Sequence, residues 1–132
     1  MVTNRTSNEA IRARVDSYFA AISGRDMDAW VANFSDDIIS FSPVGGPVIQ
    51  GIDGMRLLFK EFLRTVREVE VRPDSIFVAG GGAAAKWTAR GVGHNDRPVT
   101  FEGINVYEMN EAGRIKCVYA YYDPNAVLMA LQ

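Results

Sequence analysis

Apolar residues recur at helical spacing in three stretches of the first half of the chain. Ser7 and Asp26 precede the first two stretches, and both residue types cap helix N-termini well. The third stretch covers residues 52–66, and a β-like segment, residues 38–41, comes before it. The pattern predicts three helices, whose apolar faces carry Ile11, Val15, Tyr18, Phe19 and Ile22, then Trp30, Val31 and Phe34, and finally Met55, Leu58, Phe59, Phe62 and Leu63.

The spacing changes after residue 67, from a helical period to an alternation of apolar and polar residues. Residues 69–72 alternate as a half-buried strand does. Further strands are predicted over residues 75–79, 84–92, 99–109 and 115–122, with turn residues between the later ones. Helices segregated from an antiparallel sheet make an α+β domain. We expect the long strands to curve and to leave a hollow that the helices close.

Chain length and composition fit one domain. The 132 residues, of which 48% are hydrophobic and 23% charged, are enough for one hydrophobic core. We expect residues 1–7 to form a flexible tail and residues 8–132 a single domain, with a short terminal helix over residues 126–131.

Charge and residue usage exclude several classes of function. The net charge of −2 and the lack of a basic stripe argue against nucleic acid as a partner. No apolar run approaches the length of about 18 residues that a membrane span needs, and the polar N-terminus lacks the apolar stretch of a secretory signal. Cys117 is the single cysteine and cannot form an internal disulfide, which favours the cytoplasm. One cysteine and one histidine, His94, do not build a metal site, and we expect no cofactor.

A family resemblance rests on short segments spread over residues 8–130. They are SYFAAI at 17–22, GRDMDA at 24–29, FSDD at 34–37, SPVG at 42–45, Gly51 before a helix, NEAGRI at 110–115 and YYDP at 121–124. Together they resemble the ketosteroid isomerase branch of the NTF2-like (SnoaL-like) superfamily. The resemblance implies a cone in which a curved antiparallel sheet wraps about three helices and encloses a pocket for a small apolar ligand, and a homodimer formed through the outer sheet face. It selects no activity, because this fold hosts isomerases, cyclases, epoxide hydrolases, dehydratases and non-enzymes.

The catalytic positions of the family can be carried onto this chain one by one. An isomerase of this type uses a carboxylate base and an oxyanion hole made of a tyrosine and a protonated aspartate. The resemblance places the tyrosine on Tyr18, the base on Ser42, the aspartate on Asn105 and a pocket aromatic on Tyr122. An amide still donates hydrogen bonds, but a serine without an activating neighbour is no base at neutral pH. The resemblance therefore implies carbonyl binding more than proton abstraction.

The epoxide hydrolase branch of the superfamily gives a second comparison. Its enzymes use an Arg-x-Asp sequence on one strand and a second aspartate on the last strand. The matching positions read Lys86-Trp87-Thr88 and Ala120. Because neither aspartate is present, epoxide hydrolysis is not predicted.

Each candidate side chain has a structural interpretation beside the functional one. Tyr18 is a ligand donor or a core tyrosine with a satisfied hydroxyl. Asn105 lies on an apolar strand face, where an unpaired amide costs about 1–3 kcal/mol, so it faces a ligand or bonds to Tyr18 alone. Ser42 is a pocket group or a turn residue before Pro43, and Asp123 is a relocated acid or base or a turn residue. The residues predicted to contact a ligand are Trp30, Phe34, Phe59, Phe101 and Tyr122.

Strand parity decides which side of the sheet Trp87 faces. If the hairpin at Asn95-Asp96 pairs without a bulge, Trp87 faces outward, toward a dimer partner. The residues that then face inward are Thr88, Arg90 and Val92. A slip of one residue reverses all of them.

Three functions follow as hypotheses. The first is a cofactor-independent isomerase, cyclase or dehydratase acting on a small apolar carbonyl compound, such as a polyketide or a steroid-like ring, with Tyr18 and Asn105 polarising the carbonyl. The second is a binding protein, a carrier or an accessory subunit, with the same pocket and no chemistry. The third is a dimerisation module whose hollow is merely filled.

Overall fold

Three helices and six strands make up the part of the chain that the structure describes. The structure is a computed structural model that describes residues 7–126. The elements are α1 (Asn8–Ser23), α2 (Met27–Val31), β1 (Phe34–Phe41), β2 (Ile49–Gln50), α3 (Gly51–Thr65), β3 (Val66–Ala79), β4 (Gly82–Gly93), β5 (Pro98–Met109) and β6 (Ile115–Tyr121).

Both predicted caps are in place at the helix N-termini. The Ser7 side chain accepts a hydrogen bond from the backbone N–H of Ala10 at 3.1 Å, and Asp26 accepts one from the N–H of Ala29 at 3.0 Å. Each bond satisfies one of the N–H groups that a helix leaves without a partner in its first turn. Local sequence therefore decides where these two helices begin.

Helix α2 is shorter than the apolar spacing predicts. It ends at Val31, where the Asn33 side chain donates to the carbonyls of Trp30 (3.2 Å) and Ala29 (3.4 Å). These bonds satisfy carbonyls that the helix leaves free at its C-terminus. Phe34, which we expected on the helix, is instead the first residue of β1.

The strands form one curved, unclosed sheet in the order β2-β1-β6-β5-β4-β3. The α+β class is confirmed. Neighbouring strands are antiparallel, with one departure: β1 and β6, the first and last strands, run parallel. Alternation of apolar and polar residues reports which face of a strand is buried but carries no information on the direction of its neighbour, so the pattern did not predict this pair.

Strand β3 is continuous where the pattern predicts two strands. Pro73 and Asp74 interrupt the alternation, and the sheet absorbs them as a bulge before Ser75. The Asp74 carboxylate accepts hydrogen bonds from Thr88 Oγ1 (2.6 Å) and Lys86 Nζ (3.0 Å) of β4. The bond from Thr88, followed by that from Lys86, lowers the pKa of Asp74. The bulge is thus tied to the neighbouring strand by its own side chain.

The hairpin between β4 and β5 closes with the pair Gly93 and Arg97, which encloses a loop of three residues, 94–96. The N–H of Asp96 donates to the carbonyl of Gly93, and the N–H of Gly93 donates to the carbonyl of Arg97, each at 3.0 Å. Asp96 has a φ of 62°, the left-handed conformation with which a three-residue hairpin loop ends. This loop shifts the pairing by one residue from the bulge-free hairpin.

The shifted register decides the orientation of β4, which the sequence left open. Trp87 pairs with Gly103 and is buried on the inner face, so the outward orientation of a bulge-free hairpin does not occur. The residues that a bulge-free hairpin would turn inward lie on the opposite, outer face of the strand, namely Thr88, Arg90 and Val92. The outward position leaves the Arg90 guanidinium exposed to water, where a charge needs no buried partner.

The core lies between the inner face of the sheet and the helices. Helix α1 packs on β3 and β4, and α3 packs on β1, β2 and β3. The largest fully buried side chains are Tyr107, Phe19, Phe34, Phe59, Ile11, Ile38 and Met55. Within residues 7–126, no helix has the length and apolar character needed to cross a membrane.

Two terminal predictions fall on residues that the structure does not describe. Of the tail predicted over residues 1–7, only Ser7 is described, and it is the cap of α1. The helix predicted over residues 126–131 lies, except for Ala126, outside the described residues.

Candidate functional site

A cavity of about 280 Å³ lies between the inner face of the sheet and the helices. Its apolar lining consists of Phe19, Ile22, Trp30, Leu58, Phe59, Phe62, Val66, Val71, Trp87, Phe101, Ala120 and Tyr122. We call the buried end, where Tyr18, Trp87 and Asn105 line the cavity, the floor. We call the exposed end, where Glu61 and Thr65 line it, the rim. A concave, mainly apolar cavity with a few polar groups is typical of a small-molecule site.

A network of four buried side chains forms and supports the floor. The indole Nε1 of Trp87 donates to Asn105 Oδ1 at 3.0 Å. Asn105 Nδ2 donates to the hydroxyls of Tyr107 at 3.0 Å and Tyr18 at 3.5 Å. The network joins α1 to β4 and β5, and it pairs the two residues, Tyr18 and Asn105, that the sequence predicted to act together.

Asn105 makes three hydrogen bonds within the protein. Its single oxygen accepts from Trp87, and its N–H groups serve the two tyrosines. The amide is therefore bonded to three side chains, which corrects the alternative of a bond to Tyr18 alone. No described residue accepts a hydrogen bond from the Tyr18 hydroxyl. Its proton is thus the donor that the floor can offer to a ligand.

Burial keeps the floor tyrosines protonated. Desolvation raises the pKa of Tyr18 and that of Tyr107 well above the ordinary value, since water cannot solvate either phenolate. Repulsion between the ionised forms of Tyr18 and Tyr122 raises the pKa of Tyr18 further, and the N–H groups of Asn105 and Trp30 oppose the rise. Burial also raises the pKa of Tyr122. At neutral pH, Tyr18 is a neutral O–H donor.

Trp30 packs against the same tyrosine from α2. Its ring lies 5.6 Å from that of Tyr18, 4.8 Å from Phe34 and 5.0 Å from Phe59, measured between centroids. Its buried Nε1 has no acceptor at hydrogen-bond distance among the described residues, although it is near enough to Tyr18 to act on the pKa of the hydroxyl. Trp30 thus lines the wall of the cavity and adds a donor dipole beside Tyr18.

Ser42 combines the two interpretations that the sequence left open. It lines the cavity, and it also precedes Pro43 at a turn. Its Oγ lies 2.8 Å from Ser40 Oγ, and no carboxylate or imidazole in the described part of the chain bonds to it. Among the described residues that line the cavity, Glu61 is the one carboxylate, and it is exposed at the rim, 3.2 Å from Arg64. The position of the family base therefore holds a hydroxyl pair.

Of the nine residues predicted for the site, seven line the cavity and two do not. Ser42 is one of the seven. Phe34 is completely buried in the core, edge-on to the rings of Tyr18 and Trp30. Asp123 is exposed beyond β6 and accepts a hydrogen bond from the backbone N–H of Asn125 at 2.9 Å. The other six that line it are Tyr18, Trp30, Phe59, Phe101, Asn105 and Tyr122.

Several lining residues were missed as ligand contacts. Phe19, Leu58 and Phe62 have the spacing of an apolar helix face, and that pattern does not distinguish a core from a cavity wall. Trp87 was not named because the sequence left open which face of β4 it lies on. Nothing in the sequence indicated that Glu61 lines the cavity, because a charged residue on a helix is ordinarily solvated. Among the described residues, no three His, Cys, Asp or Glu side chains are placed to hold a metal ion.

A comparison with protein families finds one match. A family model described as a SnoaL-like domain matches residues 15–118, which is most of the chain. No curated protein matches the sequence.

Solved structures with the same fold include three that differ widely in description. The chain has a TM-score of 0.80 and 21% identity to SalBIII, an epoxide hydrolase/cyclase-like enzyme of pyran ring formation in the polyether salinomycin, over 89% of this chain and 94% of that one. The structure of RV0760c from Mycobacterium tuberculosis, in complex with estradiol-17beta-hemisuccinate, matches with a TM-score of 0.78 and 17% identity, over 89% of this chain and 96% of that one. An NTF2-like protein of unknown function from Exiguobacterium sp. 255-15 matches with a TM-score of 0.73 and 19% identity, over 84% of this chain and 98% of that one. At these identities the likeness is one of fold.

Proposed function

Since the chain belongs to the SnoaL-like domain family, we propose that its cavity binds a small, largely apolar compound through one carbonyl oxygen. The observation that carries the proposal is the Tyr18 hydroxyl at the floor of an apolar cavity, a protonated donor that has no acceptor among residues 7–126. Asn105 Nδ2 donates to the oxygen of this hydroxyl, which polarises its O–H bond. A polarised hydroxyl in a water-poor cavity binds an acceptor more strongly than it does in water.

The cavity volume sets the size of the part of the ligand that is buried. An apolar cavity of about 150 Å³ binds benzene, which has six non-hydrogen atoms. A cavity of about 280 Å³ therefore accepts roughly eleven, the size of two fused rings with one oxygen. A larger molecule would extend past the rim formed by Glu61 and Thr65. The structure of RV0760c with a bound steroid derivative supports a ring compound as the ligand class.

A cofactor-independent isomerase, cyclase or dehydratase is the second candidate. A donor aimed at a developing oxyanion lowers the barrier of such reactions, and SalBIII is described as cyclase-like. None of the described carboxylates is buried beside Tyr18, and Ser42 stands where the family resemblance implies the base. Exchange of the α-hydrogens of a bound ketone for deuterium, followed by NMR, would reveal a base. We expect no acceleration over buffer.

Binding should depend on the Tyr18 hydroxyl. The probes are 2-tetralone, a two-ring ketone, and tetralin, the hydrocarbon without the oxygen. We expect Tyr18→Phe to reduce the preference for the ketone about tenfold, because one hydrogen bond to the carbonyl is lost, while tetralin binding is unchanged. Isothermal titration calorimetry with both compounds measures the preference.

Tyr121→Phe is the matched control for this measurement. Tyr121 is 50% exposed on the outer face of β6, so removing its hydroxyl should leave both affinities as they are. An unchanged ketone preference in Tyr18→Phe would show that the proposed donor is wrong.

We propose that two copies associate through the outer face of the sheet. Ile104 and Tyr121 are 46% and 50% exposed there, beside the stacked rings of Phe41 and Tyr119 (5.2 Å between centroids). A contiguous apolar patch on a sheet favours an interface. We expect sedimentation equilibrium to give twice the chain mass, and Ile104→Asp to give the single-chain mass. A monomer at all concentrations would contradict the proposal.

A further inference from the structure

We propose that Trp87 is a positioning residue that sets the direction of the hydrogen bonds at the floor, an inference that rests on the proposed function. Trp87 is buried on the inner face of β4, and its indole Nε1 donates to Asn105 Oδ1 at 3.0 Å. An indole N–H only donates and never accepts. The group that faces it must therefore be an acceptor.

This requirement selects one of the two orientations of the Asn105 amide. The oxygen and nitrogen ends of an amide are nearly alike in size, so packing alone does not distinguish them. With Oδ1 on Trp87, Nδ2 points to the hydroxyls of Tyr107 and Tyr18. Turning the amide by half a rotation would set N–H against N–H and leave the buried indole without an acceptor, which costs free energy.

The orientation of the amide decides what the Tyr18 hydroxyl can do. A hydroxyl that accepts from Asn105 keeps its own proton for another partner, and Tyr18 lines the cavity where a ligand oxygen would lie. A reversed amide would present Oδ1 to Tyr18, whose O–H would then donate into the protein. The floor of the cavity would lose the donor that Tyr18 offers, although Tyr18 itself would be unchanged.

Trp87 also packs against other residues of the wall, and the two roles have different consequences. Its ring lies edge-on to Phe101 at 6.0 Å and to Tyr122 at 6.2 Å between centroids. A wall contact affects every ligand that fills the cavity. An orienting hydrogen bond affects only ligands with an acceptor oxygen, so the ratio of the affinities for 2-tetralone and tetralin separates the roles.

The test removes the N–H of Trp87 and keeps its ring. Site-specific incorporation of 3-benzothienylalanine at position 87 replaces the N–H by sulfur, and Trp87→Phe is the second variant. We expect the ketone preference to fall about five- to tenfold in both, and the infrared C=O stretch of bound 2-tetralone to move toward its value in an apolar solvent. Phe101→Leu, a wall change, should weaken both ligands alike.

A double-mutant cycle shows whether Trp87 acts through Tyr18. In the Tyr18→Phe background, loss of the N–H should change the ketone preference no further. An equal fall in that background would overturn the inference, as would an unchanged preference in the 3-benzothienylalanine protein.

A measurement without ligand keeps this inference distinguishable from the proposed function. Nuclear Overhauser effects between the Asn105 side-chain N–H protons and the ring protons of Tyr107 report the orientation of the amide directly. We expect them in the natural protein and expect their loss with 3-benzothienylalanine. If the natural protein shows no ketone preference, the proposed function fails and this readout decides the role of Trp87. Persistence of these effects after the replacement would overturn that role.

Discussion

Trp30→Ala is expected to lower the free energy of unfolding by about 3–5 kcal/mol, the range for removing a large buried aromatic side chain. Trp30 is 2% exposed, and its ring contacts those of Tyr18, Phe34 and Phe59. Its loss removes apolar contacts on three sides and joins new empty space to the existing cavity. Denaturation by urea, followed by far-UV circular dichroism, measures the change.

Phe77→Ala is the control for this experiment. Phe77 is also an aromatic residue, on β3, but its side chain is 72% exposed, so its removal should change the free energy of unfolding by less than about 0.5 kcal/mol. Equal losses in the two variants would mean that Trp30 does not anchor the core as its burial indicates. A loss for Trp30→Ala below about 1 kcal/mol would mean that α2 can collapse onto the gap.

Gly103→Ala is expected to cost about 1–3 kcal/mol of stability, the usual range for overpacking a core. A Cβ at this position would lie 2.5 Å from Cζ2 of Trp87 and 2.6 Å from the carbonyl oxygen of Tyr121. The first contact is with a buried ring and the second with backbone, so neither neighbour gives way easily. The substitution should also displace the indole from Asn105.

Two readouts check the glycine prediction. Thermal unfolding gives the stability, and the near-UV circular dichroism of the tryptophans reports whether the indole has moved. Glu102→Ala is the control, because Glu102 is the adjacent β5 residue on the outer face, where its side chain is 70% exposed. A Gly103→Ala protein with natural stability and an unchanged tryptophan spectrum would show that the neighbouring strands make room for a methyl group.

The family resemblance singled out Tyr18 and Asn105, and the structure adds the partners of this pair. Tyr18 and Asn105, 87 residues apart, meet at the floor as the resemblance implied. The resemblance could not show that Trp87 occupies the amide oxygen, since the match concerns single positions and not their partners. It also placed Ser42 at the cavity, where the structure adds the hydroxyl of Ser40 as its neighbour.

The sequence by itself determined the local elements of this protein. The caps at Ser7 and Asp26 and the apolar faces of α1 and α3 follow from interactions within a few residues, which a pattern along the chain records. The tertiary structure alone decided three further features. These are the parallel pairing of β1 with β6, the one-residue shift at the loop that ends in left-handed Asp96, and the inward position of Trp87 that follows from it.

The physical reason is the reach of the interactions involved. A strand has two faces and a period of two, so one extra residue in a loop exchanges the faces without changing the pattern itself. Which face is buried then depends on what packs against it, from parts of the chain that lie far away in sequence. The floor of the cavity, with Trp87 from β4, Asn105 from β5 and Tyr18 from α1, exists only after that packing is complete.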